Sequence, residues 1–210
     1  MPSNVETTYN QWAEMYDSME NKTRDLDRIA AQTILLDVSY SSVLELGCGT
    51  AKNTEWLAER AENIVAVDLS EEMIIKAKQK IRASHVKFIQ ADISHEWHFG
   101  AAGYDLITCN LVLEHIQNLS PIFLEASRAL KAGGHFFISE LHPARQYLGG
   151  KARFEKNNEL YVPECFTHHI SEFYEIAAAN GFQCIRLNEW FDDDSKSAAP
   201  RLISFLFRKA

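Results

Sequence analysis

Cysteine is scarce in this chain of 210 residues: the four, Cys48, Cys109, Cys165 and Cys184, are scattered and form no CxxC pair. That spacing argues against a zinc site or a disulfide framework, so no metal is expected, and it fits a reducing cytosol. Long apolar runs are missing too. Stretches such as Leu106 to Leu113 fall well short of the roughly 20 residues a membrane helix needs. Met1 to Thr8 has neither a basic start nor an apolar core, so no secretory signal and no membrane partner are expected, and the reading is cytoplasmic. Basic excess is also lacking. The net charge is −8, and an acidic field repels polyanions, which argues against nucleic acid as a partner. Without an internal repeat or a low-complexity linker, the chain is expected to form a single domain over 1–210.

What is present is a rhythm. Tyr9, Trp12, Ala13 and Tyr16 recur at helical spacing, and Leu26, Ile29, Ala30, Ile34 and Leu35 form a second apolar face. These predict two helices from about Thr7 to Val38, an N-terminal helical cap over 1–40. Short apolar strands then alternate with helices. Strands are predicted at Val43–Leu46, Ile64–Val67, Val86–Ile89, Tyr104–Cys109, His135–Ser139, Phe182–Leu187 and Leu202–Phe207. Helices are predicted at Asn53–Ala61, from the cap Ser70 to about Ala83, at Asn118–Leu130, and at Ile170–Asn180 before Gly181. Continuous apolar strands alternating with helices imply an α/β fold with a mostly parallel seven-stranded sheet, helices covering both faces. Ligands of such sheets bind at the carboxyl ends of the strands.

The loop after the first strand, Glu45-Leu46-Gly47-Cys48-Gly49-Thr50-Ala51, has glycines that permit a tight turn and close approach of a ligand. Asp68 ends the second strand 19 residues beyond Gly49, about where a doubly wound fold holds ribose hydroxyls. A dinucleotide motif needs glycine at position 52, where Lys52 stands, and this weakens a nicotinamide or flavin reading. The order of further segments closely resembles the class I S-adenosylmethionine-dependent methyltransferases, small-molecule branch. Glu45, Gly47 and Gly49 match their glycine-rich loop, with Ala51 in place of a third glycine. Val67-Asp68-Leu69-Ser70, Met73, Ala91-Asp92-Ile93, Tyr104-Asp105-Leu106-Ile107 and Leu130-Lys131-Ala132-Gly133-Gly134 follow in order.

The resemblance implies a Rossmann-like domain that binds S-adenosylmethionine. Gly47, Cys48 and Gly49 would lie against its methionine part, Asp68 would accept both ribose hydroxyls, and Asp92 and the Ile93 amide would address adenine. Leu69, Met73 and Ile93 would supply apolar contacts, with Asn110 and Leu111 beside the sulfonium. Related enzymes use an aromatic helix like Tyr9–Asp17 as a lid, with the Tyr16 hydroxyl, and Arg24, directed at the methionine carboxylate. Asp105 is expected to serve the fold.

For the acceptor, methyl transfer is an in-line displacement, and a base is needed only when the acceptor starts protonated. His142, after the fifth strand, and His168, before the next helix, are the expected bases, and His115 is expected at the cofactor pocket. The connection 142–169, with Arg145, Tyr147, Arg153, Phe154 and Tyr161, is expected to be a loop acting as acceptor lid, its arginines suited to a carboxylate. The leading functional reading is methylation of a small-molecule oxygen or nitrogen. RNA or protein methylation, or a non-catalytic cofactor-binding subunit, are the alternatives.

Overall fold

In the computed structural model, which describes residues 4–99 and 103–210, the elements alternate as the apolar periods require. Helices α1 (Asn4–Trp12) and α2 (Lys22–Leu35) precede β1 (Ser42–Leu46), α3 (Lys52–Leu57), β2 (Asn63–Asp68), α4 (Glu71–Lys80) and β3 (Val86–Gln90). The chain continues through β4 (Tyr104–Asn110), a short helical turn (Leu113–His115), α5 (Ser120–Ala129) and β5 (Leu130–Leu141). Then come α6 (Pro143–Tyr147), β6 (Phe154–Lys156), β7 (Glu159–Tyr161), α7 (Ile170–Ala179), β8 (Phe182–Trp190) and β9 (Leu202–Lys209). Residues 1–3 of the expected cap lie outside the described residues.

The sheet has seven strands in the order β3-β2-β1-β4-β5-β9-β8. Pairing is parallel from β3 to β5, and β9 runs antiparallel to both of its neighbours. The order reverses beside β1, whose Leu46 pairs with Val67 on one side and Cys109 on the other, so the loops leaving β1 and β4 diverge there. That divergence opens a crevice at the carboxyl edge.

Alternation along the strands divides the core between the two faces. Phe136, Ile138, Phe205 and Phe207 pack with Phe123 and Phe173 on one face, while Phe137 and Leu206 pack with Leu35, Trp56 and Leu57 on the other. A third, small cluster joins Trp12 and Ala13 to Met73 and Phe154, above the carboxyl edge.

Asp105 holds the start of the sheet. It accepts the Ser41 and Ser42 amides at 3.1 and 2.9 Å and pairs with Lys131 at 2.8 Å. Ser70 caps α4 by accepting the Met73 amide at 3.1 Å. Several boundaries differ from the sequence expectation. Helix α3 ends at Leu57 and α4 at Lys80, where Ile81 turns to extended backbone. Strand β5 begins ahead of the glycine pair, because Leu130 already pairs with Tyr104 across a register shift.

The connection 142–169 is not a bare loop. It carries α6 and a two-stranded hairpin of β6 and β7, turned by Asn157 and Asn158, both at positive φ. An Asn-Asn pair at positive φ suits a two-residue hairpin turn.

Candidate functional site

A cavity of about 520 Å³ occupies the crevice where the loops after β1, β2, β3 and β4 meet. Gly47 floors it at φ +70°, and a Cβ there would stand 2.0 Å from Val112 Cγ2, so only glycine fits. A Cβ on Gly49 would meet nothing within 4 Å, so the backbone there faces open space. The Asp68 carboxylate accepts the Gly49 amide at 2.8 Å on one oxygen and the Ser70 amide at 2.9 Å on the other. Each oxygen retains capacity for a further donor. Burial raises the Asp68 pKa, opposed by those amides. Asp92 accepts the Ser94 amide and hydroxyl at 2.8 and 2.6 Å, and its other oxygen lies 3.3 Å from His95 Nδ1.

The far wall begins where β4 ends. Asn110 donates to Asp27 of α2 at 2.8 Å, and Asn53 donates to the same carboxylate at 3.2 Å. Leu111 follows at φ +57°, a left-handed conformation that is costly for a branched side chain. Tyr9 and Tyr16 form the roof. The Tyr9 hydroxyl lies 2.9 Å from His115 Nε2, and His115 Nδ1 lies 2.7 Å from the Glu164 carbonyl. A carbonyl oxygen can only accept, so Nδ1 carries the proton and Tyr9 donates to Nε2. Burial raises the Tyr9 hydroxyl well above its ordinary pKa and takes Tyr16 to about 12.

Of the sequence-selected residues, Tyr16, Gly47, Gly49, Asp68, Leu69, Asp92, Ile93, Asn110, Leu111 and His115 line this cavity together. Others do not. Glu45 is buried behind the loop, where it accepts the Thr54 hydroxyl at 2.6 Å and is pushed by burial to about 8. Cys48 turns into the core, and Met73 packs beneath α1. The Arg24 guanidinium donates to the carbonyls of Tyr16 and Met19 at 2.6 and 2.9 Å and stacks 4.0 Å from the Tyr16 ring. It lines a second cavity instead.

The two expected bases are corrected by their surroundings. His142 caps α6 by accepting the Ala144 amide at 3.1 Å, and its other nitrogen lies 3.1 Å from Glu189. His168 faces the Ile116 carbonyl at 2.8 Å and Glu172 at 3.0 Å. Each ring spends both nitrogens on local structure, and neither lines either cavity.

The second cavity, about 250 Å³, shares Tyr9, Tyr16 and Leu111 with the first. Arg24, Glu114, Arg145, Lys151, Arg153 and Arg201 also line it. Sequence reasoning missed Asp27, Glu114, Glu140 and Arg201. Asp27 had a readable signal, an acid on the buried helical stripe of Ala30, Ala31 and Ile34. Glu140 accepts the Val112 and Leu113 amides at 2.9 and 2.8 Å, and burial pushes it to about 8. Arg201 reaches the cavity only because β9 returns antiparallel beside β5, a pairing without a local signature.

Residues 44–138 match the family model described as a methyltransferase domain. A 109-residue stretch, 51% of this chain, is 33% identical to a ubiquinone biosynthesis O-methyltransferase of Dechloromonas aromatica and covers 47% of that protein. The chain spans about half the length of the curated relatives it matches. Among solved structures it resembles a putative S-adenosylmethionine-dependent methyltransferase from Listeria monocytogenes, with TM-score 0.74 and 21% identity over 89% of this chain and 99% of that one. The N-methyltransferase NodS from Bradyrhizobium japonicum, solved with S-adenosyl-L-homocysteine, aligns over 99% of both chains with TM-score 0.73 and 17% identity. At such identities the likeness is one of fold.

Proposed function

Residues 44–138 match the family described as a methyltransferase domain, and from that match we propose that the protein methylates a small-molecule oxygen or nitrogen using S-adenosylmethionine. The observation that carries the reading is Asp68: a buried carboxylate at the end of β2, tied to the Gly49 amide, with acceptor capacity left on both oxygens. A ribose diol suits that capacity. Asp92 and the Ile93 amide suit adenine, with Leu69 and Ile93 as apolar walls, and the open backbone at Gly49 suits the methionine part. The cofactor supplies an electrophilic methyl on a sulfonium, so no protein nucleophile is required. The chain's own task is to hold the acceptor in line and exclude water.

Tyr9 lines both cavities, and we read it as the group facing the acceptor. A proton leaving the acceptor passes to the Tyr9 oxygen as the Tyr9 proton passes to His115 Nε2. The Glu164 carbonyl steadies the imidazolium. Residues 1–40 act as the cap and 142–169 as the acceptor lid. No helix among the described residues is long and apolar enough to cross a membrane. The four free cysteines support a cytosolic setting.

Calorimetry with adenosylhomocysteine and NAD tests the cofactor reading, with saturable binding expected only for the first. Asp68→Ala is expected to cost about 1.5–3 kcal/mol of that affinity. Asp105→Ala is expected to leave affinity largely unchanged and lower stability instead. NAD binding alone, or unchanged affinity in a folded Asp68→Ala protein, overturns the assignment.

A further inference from the structure

Five of the chain's 21 lysines and arginines line the second cavity, in a protein whose net charge is −8. Glu114 is the only acid lining it among the described residues, and burial raises its pKa and so favours its neutral form. Two of the cations are partly neutralised from outside: Asp192 pairs with Arg145 at 2.5 Å and with Arg201. Arg153 forms no ion pair among the described residues. The Nε atoms of Arg24 and Arg145 are buried without a hydrogen-bond partner. Buried donors left unmet are costly, and clustered cations in a walled cavity focus a positive potential. Resting on the methyltransferase reading, we propose that this chamber holds an oxyanion of the acceptor, a carboxylate or phosphate. The rest of the acceptor then reaches past Tyr9 and Tyr16 toward the first cavity. The acceptor is thus an acid, and Arg153 with Lys151 selects it.

The test uses benzoate, methyl benzoate and inorganic phosphate as probes, titrated calorimetrically into the full chain saturated with adenosylhomocysteine. Saturable binding of benzoate or phosphate is expected, whichever is tighter naming the oxyanion, with the ester at least about ten-fold weaker than benzoate. The Lys151→Gln Arg153→Gln double variant, altered only at exposed positions, is expected to weaken anion binding about ten-fold or more while leaving adenosylhomocysteine affinity unchanged. Circular dichroism checks its fold. The proposal is overturned if neither anion binds, if the ester binds as well as the acid, or if the double variant binds anion like the parent. Displacement of the anion by adenosylhomocysteine also overturns it, since the cations would then serve the cofactor's own carboxylate. Failure to bind adenosylhomocysteine sinks the methyltransferase reading instead, and the same titrations on the unloaded protein still decide the chamber.

Discussion

Gly47 meets two demands at once, a φ of +70° and a neighbour, Val112 Cγ2, that leaves no room for a methyl group. A left-handed residue with a side chain costs about 1–2 kcal/mol, and an overpacked contact about 1–3. Gly47→Ala is therefore expected to destabilise the protein by about 2–5 kcal/mol in urea unfolding. Adding Val112→Ala should recover the steric part and leave the backbone part. An equally large loss in the double variant would show that the clash is not with Val112. Ala51 and Leu111 show the other side of the same trade, since both hold φ near +60° with side chains attached. Leu111 lines both cavities, so its strained backbone sits where the two sites meet.

Helix α1 packs on α4 and, through Trp12, on the β6–β7 hairpin. Trp12 stacks on Phe154 at 4.9 Å between ring centres, and Phe154 stacks on Tyr161 at the same distance. Asn10 accepts the Ser70 hydroxyl at 2.6 Å, and the Asn4 side chain accepts the Glu164 amide at 3.0 Å. These contacts tie the roof to α4 and to the segment after β7. Local opening follows such units. Amide exchange in α1 and in the hairpin is expected to run in step, faster than in β1 or β4, and to slow in both when adenosylhomocysteine binds. Trp12→Ala should break that parallel. Independent exchange in the parent protein would mean that roof and hairpin are separate units.

For the whole molecule, the buried acids set a dependence on pH. Glu45 and Glu140 are pushed by burial to about 8, whereas in the unfolded chain they ionise near about 4.3. Between those values the folded protein keeps protons that the unfolded chain has shed, so stability falls as pH rises and levels off above 8. His135 and His142, lowered by burial, cost stability only as pH falls through about 6.5. The interval from pH 7 to 8 therefore lies clear of the histidines, with the cysteines, raised by burial, adding a smaller loss as pH nears their unfolded value of about 8.5. Urea unfolding should show a loss of about 1 kcal/mol per acid across it. Glu140→Gln, with no proton to lose, should reduce the fall by one group's share. An identical fall in the variant would show that Glu140 is already ionised.

The α/β order, the parallel strands and the floor of the first cavity were legible in the residues themselves. Strand and helix periods act over a few residues, and once the strands run parallel, Gly47, Asp68, Asp92 and Asn110 must all arrive at one edge. The hairpin was legible in principle, through Asn157 and Asn158, but its strands are three residues each and show no period. The roof of Tyr9 and Tyr16 was expected from the resemblance, whereas only the tertiary structure decided the cationic chamber, which gathers side chains from α1, α2, the end of β4, α6 and the start of β9. It also decided the histidines. A ring beside a strand end can face a cavity or satisfy a nearby helix, and His142 and His168 took partners at Glu189 and Ile116 that lie 47 and 52 residues away. Such partners are set by long-range packing, for which short-range spacing along the chain carries no rule.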